Sequence, residues 1–176
     1  MRNQKGFTLI ELIIVIVVLG ILAVTAAPQF INFSSDARTS ALKGMEGSIK
    51  GAMQLTYSKA AVEGVETDST ATVSVKGTDV DLVFGYPDAS AAGIIEAVDA
   101  GFATDLSNDW VYAVVSGTPN TVVMAQSSSV TASDPFATSD ITGSGCYLTY
   151  TAASATTATP PVISPATIAV SDQSGC

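Results

Sequence analysis

The sequence predicts an α+β protein: a long N-terminal α-helix, apolar in its first half, packed on a small C-terminal antiparallel β-sheet domain. Three observations carry that expectation. Residues 7–27 form an unbroken apolar run with a single ionisable side chain, Glu11. The apolar residues that follow recur at steps of three and four, the period of a helix with one buried face. Beyond residue 70, short runs alternate apolar and polar residues and are separated by clusters rich in Gly, Pro, Asn and Asp, as strands and turns are.

Composition bounds the function. The 176 residues suit one globular domain with an accessory segment. Seven Lys and Arg face sixteen Asp and Glu, a net charge of -9, and there is no histidine. A nucleic-acid interface needs a basic face, so no nucleic-acid partner is expected. Without histidine the chain has no His-based triad, none of the usual zinc or haem ligand sets and no imidazole base. The expectation is a non-enzymatic protein with no cofactor and no metal. Lys76 is the last cation, and the segment 77–176 holds ten acids. That half must be stabilised by apolar burial and backbone ladders rather than by salt bridges.

The first element is FTLIELIIVIVVLGILAVTAA, residues 7–27. As a helix it is about 31 Å long, the thickness of a bilayer's hydrocarbon core. Arg2 and Lys5 precede it, which orients the N-terminus to the cytoplasm. A secretory signal peptide cut after the small residues Ala23, Ala26 and Ala27 is one reading. The length of the run, a carboxylate inside it and Pro28 just beyond the cut count against it. A plain membrane anchor is a second reading, and it leaves Glu11 without a role.

Phe30, Phe33, Ala37, Ala41/Leu42, Met45, Ile49, Ala52/Met53 and Ala60 then continue as an amphipathic helix over residues 28–62. Joined, the two parts make one helix of about 54 residues, about 80 Å long. A small domain cannot bury such a helix, so its first half needs a membrane or other copies of the chain. Gly20 and Pro28 weaken it internally, the proline by removing a hydrogen bond.

Residues 70–76 (TATVSVK) and 80–86 (VDLVFGY) read as a hairpin joined through Gly77-Thr78-Asp79. Gly85-Tyr86-Pro87-Asp88 closes it. Ser90 is placed as the cap of a short helix with Ile94, Ile95, Val98 and Phe102 inward. A second strand pair spans 110–116 and 121–126 across Gly117-Thr118-Pro119-Asn120. Segments 146–152 and 168–170 are expected as edge strands around the Ser/Thr/Pro-rich stretch 154–165. Glu63, Glu66 and Asp68 read as a solvated helix exit. Asp79, Asp81 and Asp88 lack the glycine and terminal glutamate of an EF-hand and are taken as solvated, with no metal assigned.

The segment Gly6-Phe7-Thr8-Leu9-Ile10-Glu11, after a short basic leader, resembles the class III leader junction of type IV pilins. The resemblance implies that a prepilin peptidase cleaves after Gly6, removing residues 1–6, and that the new amine of Phe7 is N-methylated. It implies retention of helix 7–27 as membrane anchor and then filament core. Glu11 is implied to pair with the Phe7 amine of a neighbouring subunit and set axial register. A contact within one chain, four residues apart on one helix face, is the alternative. In filaments of this family the helix between the residues matching Gly20 and Pro28 can unwind. The two cysteines, Cys146 and Cys176, suit one disulfide formed after translocation. A bridge closing segment 146–176 resembles the C-terminal loop of type IVa pilins, within a globular domain 63–176.

TAAPQFINF, ALKGMEGSIKGAM, GYP and Asp109-Trp110 narrow the resemblance to the major pilins of mannose-sensitive haemagglutinin (MSHA) pili. The implied role is a structural subunit of a surface filament used in adhesion and biofilm formation, with a type II secretion pseudopilin as the alternative. The implied partners are copies of the chain, the inner membrane before assembly, prepilin peptidase and the assembly machinery, and outside surfaces or glycans. The precursor is placed in the inner membrane with its C-terminal domain periplasmic, and the mature form in an extracellular pilus.

Overall fold

The computed structural model describes residues 6–131 and 136–176, and the side chains of all of these except 27–32. The chain divides into two compact units, one ending at Ala37 and the other Arg38–Cys176. Helix α1 spans Leu9–Glu63. Its backbone is helical through Gly20 and Pro28; the side chains of Pro28 and Phe30 lie outside those described. The chain is α+β, with a long N-terminal helix followed by a mixed β-sheet domain.

In the Arg38–Cys176 unit the helical period does what it predicts. Leu42, Met45, Ile49, Met53, Thr56 and Ala60 fall on one face, and all are buried. Full burial of side chains the size of Leu42 and Ile49 stabilises by about 1.5–3 kcal/mol each. Phe33 differs from expectation, being 73% exposed. Helical spacing records that a face is apolar, not which molecule covers it.

Strands β1 (Ala71–Val75), β2 (Thr78–Val83) and β3 (Tyr86–Pro87) form an antiparallel sheet in that order. The β1–β2 turn is shorter than expected. Val75 pairs with Thr78, leaving Lys76 and Gly77 as a two-residue turn with φ of 54° and 89°. Positive φ at both positions matches the twist of the strands it joins. The β2–β3 turn repeats the device with Phe84 (φ 50°) and Gly85 (φ 80°). Val73, Val75, Val80 and Leu82 pack around Ala60 of α1.

The expected cap at Ser90 is absent. Ser90 is extended, its side chain makes no capping bond, and its Oγ is buried without a partner. The turn Ala91–Ile95 is broken at Gly93, where the backbone passes so close to Asp88 that a Cβ would lie 2.1 Å from the Asp88 carbonyl oxygen. Ile94 N–H donates to that carbonyl at 2.8 Å. The chain is thus turned by a backbone contact that only glycine admits. Ile94 and Val98 are buried as expected, with Ile95 and Phe102 half-buried against the same core.

The larger sheet has the order β10-β7-β6-β5-β4, from Thr167–Asp172, Tyr147–Thr151, Thr121–Gln126, Trp110–Val115 and Phe102–Ala103. Two expectations are corrected here. Strand β7 is internal, paired with both β6 and β10, and its Leu148 and Tyr150 are wholly buried in the core shared with α1. Only β10 of that pair is an edge. The sheet is also mixed, since β4 runs parallel to β5; a two-residue strand leaves no periodic trace in sequence.

Central β6 serves both faces of this sheet. Val122 and Met124 join the main core with Leu42 and Ile49, whereas Val123 and Ala125 meet Val130, Ile141 and Phe136. Ile141 comes from α2 (Thr138–Gly143), a helix that sequence reading missed. Its start is held by the Asp140 carboxylate, which accepts the Ala137 N–H at 2.9 Å. The Ser/Thr/Pro-rich stretch contains a further pair, β8 (Ser154–Ala155) with β9 (Ile163–Ser164).

Candidate assembly and processing site

Gly6, Phe7 and Thr8 precede the helix, and Phe7 is 89% exposed. Thr8 caps α1 in a reciprocal arrangement. Its hydroxyl oxygen accepts the Glu11 N–H at 3.3 Å, while its own N–H and O–H donate to Glu11 Oε2 at 2.8 and 2.7 Å. This capping box was legible as Thr-x-x-Glu ahead of an apolar run, and the sequence reading passed over it. Both bonds fall on one carboxylate oxygen; Glu11 Oε1 accepts none among the described residues. Glu11 therefore completes the helix start within one chain and keeps an acceptor for a second partner.

Beyond the cap, Leu9–Ala26 is long and apolar enough to cross a membrane, with a mean hydropathy of 3.0 and none of it buried. At Gly20 an added Cβ would meet nothing. Pro28 supplies no N–H to the carbonyl four residues earlier. Thr25 donates its hydroxyl to the Leu22 carbonyl at 3.0 Å. The polar features of this stretch are thus few and lie on its own backbone.

At the other end of the chain, Cys146 and Cys176 form a disulfide with a Cα–Cα distance of 4.9 Å and a sequence separation of 30. Cys146 is fully buried in the main core. Beside the bridge, Gly175 N–H donates to the Gly145 carbonyl at 2.9 Å. The closed segment contains β7 to β10, so it is a folded part of the sheet as well as a loop.

The acidic groups singled out in sequence separate. Asp81 Oδ1 accepts the Thr72 hydroxyl at 3.2 Å, and the Asp81 carbonyl accepts Asp88 N–H at 2.8 Å. Among the described residues, no three potential ligands gather around a common point. Glu63 lies 3.8 Å from Lys59. Glu66 departs from the solvated exit expected of it: its Oε2 is shielded from water and has no hydrogen-bond partner. Around it stand Tyr57, Phe84 and Tyr86, an aromatic grouping that their sequence spacing concealed.

A helix start of this kind ahead of an unburied apolar helix and an α+β domain defines a class of chain, one whose first helix leaves its apolar surface uncovered by the described residues. Residues 1–27 match the prokaryotic N-terminal methylation motif. The chain is 42% identical to a fimbrial protein of Pseudomonas aeruginosa over 84 residues, which is 48% of this chain and 51% of that protein. It is 43% identical over 51 residues to the type IV major fimbrial protein FimA of Dichelobacter nodosus, 29% of this chain and 33% of the relative. It is also 41% identical over 54 residues to the type II secretion system core protein G of Pseudomonas aeruginosa, 31% and 38% of the two chains. The chain spans about half the length of the first of these relatives. No solved structure matches it.

Proposed function

We propose that this chain is the precursor of a type IV pilus major subunit, of the mannose-sensitive haemagglutinin type, which assembles into a helical surface filament. The observation that carries the reading is the helix Leu9–Ala26, apolar, unburied and headed by an N-methylation motif. Such a helix is stable only in lipid or against other copies, and the motif marks it for retention. In this reading the inner membrane holds the precursor with its C-terminal domain in the periplasm. Prepilin peptidase cuts between Gly6 and Phe7, and Phe7 is then N-methylated.

The chemistry of assembly follows from the helix start. Cleavage frees a cationic amine at Phe7, one residue before the Thr8 cap. Glu11 Oε1 is the acceptor left for it, on its own chain or on the next. A pair made between chains is buried by the packed helices and penalises wrong register, because either charge left unpaired there is costly. Gly20 and Pro28 bound a stretch of weakened helix that can open under tension. The assembled filament exposes the acidic 63–176 domains, and contact with outside surfaces or glycans, and with it adhesion and biofilm growth, is their role.

The similarity to core protein G supports a second reading, a pseudopilin of type II secretion. The shared N-terminal features do not separate the two, whereas the disulfide across segment 146–176 resembles the type IVa pilin arrangement. Intact mass and N-terminal sequence of the protein sheared from cell surfaces test the proposal. A chain beginning at N-methylated Phe7 in an extracellular filament supports it. A chain beginning at Pro28 refutes it, and a Phe7 chain found only in the periplasm favours the pseudopilin.

A further inference from the structure

We propose that the outer face of the β1–β3 sheet is a docking surface for a second copy of this chain, whose Arg38 guanidinium meets Asp79 and Asp81 there. The contact rests on the assembly reading above and adds where two copies touch outside the apolar helix. Strand alternation divides the sheet. Val73, Val75, Val80 and Leu82 are buried around Ala60, while Thr72, Ser74, Asp79 and Asp81 alternate with them and are all exposed. The register sets Thr72 opposite Asp81 and Ser74 opposite Asp79, so two carboxylates and two hydroxyls form one block on paired strands. The Thr72 hydroxyl donates to Asp81 Oδ1 at 3.2 Å and orients that carboxylate. Neither aspartate forms an ion pair among the described residues. Two cations border the sheet and are directed elsewhere: Lys59 donates to the Ser74 carbonyl and faces Glu63, and Lys76 lies 4.0 Å from Asp99.

Arg38 has the complementary need. It is half-buried at the start of the Arg38–Cys176 unit and has no carboxylate partner among the described residues, whereas Lys50 on the same helix pairs with Glu46 at 2.7 Å. A guanidinium presents a planar fork of donors that carboxylate oxygens satisfy best. The two sides of this contact do not meet within one chain. From Arg38 to Ala60 the helix runs about 33 Å, and Val80 and Leu82 flank Ala60. The partner is therefore another copy, joined head to tail, the kind of contact that propagates into a filament when its rotation does not close a ring. Charge balance favours it. Copies with a net charge of -9 repel one another, so the few cations act where domains approach, and Lys43, exposed and also without an ion pair among the described residues, adds positive potential at the same end of the helix. Other acids offer less: Asp105 and Asp172 accept hydrogen bonds from Ser107 and Ser174 in their own loops, and Asp140 holds the start of α2. A single exposed ion pair contributes little, but a half-buried one repeated at every subunit contributes at each step of growth.

The first test is positional. Filaments of Arg38→Lys, which keeps the charge, are sheared from cells and treated with a water-soluble carbodiimide. Mass spectrometry should find an amide joining position 38 of one copy to Asp79 or Asp81, and the length of helix between them makes any such link intermolecular. The second test is a charge swap. Arg38→Asp and Asp81→Arg should each lower the yield of sheared filaments at least about fivefold, and the two together should restore it to within about twofold of wild type. Circular dichroism of each chain in micelles checks folding, and if a reversed variant misfolds the carbodiimide link decides. Filaments that lack the link, or a swapped chain no better than the worse of its parents, overturn the proposal. A loss in Arg38→Asp that Asp81→Arg does not rescue assigns Arg38 to an anionic headgroup at the membrane surface instead, and also overturns it. Wild-type filaments without the link refute this contact alone, whereas a wild-type chain beginning at Pro28 refutes the assembly reading with it.

Discussion

Breaking the Cys146–Cys176 bridge should cost the Arg38–Cys176 unit about 3.7 kcal/mol, almost all of it through the unfolded state. The sequence separation of 30 closes about 31 residues, for which the loop-entropy relation gives about 12 cal/mol/K. In the native state the bridge holds little by itself. Strand β10 is already paired to β7 from Thr167↔Thr151 to Asp172↔Tyr147, with Ile168 buried, so reduction releases only the residues after Asp172. The unfolding entropy of residues 38–176 is about 0.29 kcal/mol/K, so the thermal midpoint should fall by about 13 °C. The assay is denaturation of the full chain in micelles, oxidised, reduced and as Cys146→Ala with Cys176→Ala. Fluorescence of Trp110, packed edge-on against Phe102, reports the sheet. A change below about 1 kcal/mol would refute the argument, because it would mean that the unfolded chain keeps this segment closed without the bridge.

Other perturbations test other parts of the fold. Ile49→Ala should destabilise by about 2–5 kcal/mol in the same assay, whereas Phe33→Ala, at an exposed position, should change stability by less than about 0.5 kcal/mol. Gly93→Ala must separate the chain from the Asp88 carbonyl and should cost about 1–3 kcal/mol or more, read as a lower denaturation midpoint. Tyr150, whose hydroxyl donates to the Pro87 carbonyl at 2.5 Å, has its pKa raised by burial and then by Asp88 and Tyr86. Because the unfolded chain releases that proton first, stability should fall as pH rises above about 10, and spectral titration should show Tyr150 ionising only on unfolding. At acid pH the sign reverses: Asp172, lowered by hydrogen bonds from Ser174, contributes stability that is lost as pH falls below the ordinary aspartate value.

What sequence revealed and what it hid follow from range. Helix α1 was legible because its pattern is local and long, and strands β5 and β6 because six-residue, largely apolar runs are bounded by turn residues. Strand β7 was expected at an edge, and only its pairing with both β6 and β10, across many residues, shows it to be internal. The bend at Gly93 is set by a carbonyl five residues earlier, which Ser90 as a cap did not anticipate. At the helix start the leader junction was visible, but attention to a charge pair hid the simpler capping box between Thr8 and Glu11. The aromatic grouping around Glu66 left no local signal. Tyr57, Glu66, Tyr86 and Ile163 meet only through tertiary structure.

The exposed first half of α1 bears on how assembly is driven. Leu9–Ala26 is apolar throughout, and lipid chains are about as apolar as its leucines and isoleucines. Moving this helix from a bilayer into a bundle of copies therefore changes the hydrophobic term little. If the proposed function holds, the direction of transfer rests on close packing and on the few polar groups: the capped Thr8–Glu11 start, the amine that cleavage would create at Phe7, and the carbonyl left without a donor by Pro28. In lipid the amine is satisfied by headgroups and the membrane surface. In the proposed filament its partner would be Glu11. Glu11→Gln keeps an oxygen for the Thr8 cap and removes the charge, so it separates the two roles. The variant should retain the helix by circular dichroism in micelles and still be cleaved after Gly6, yet yield far fewer sheared filaments. Normal filament yield from Glu11→Gln would show that the glutamate serves only as a cap and that register is set elsewhere along the helix.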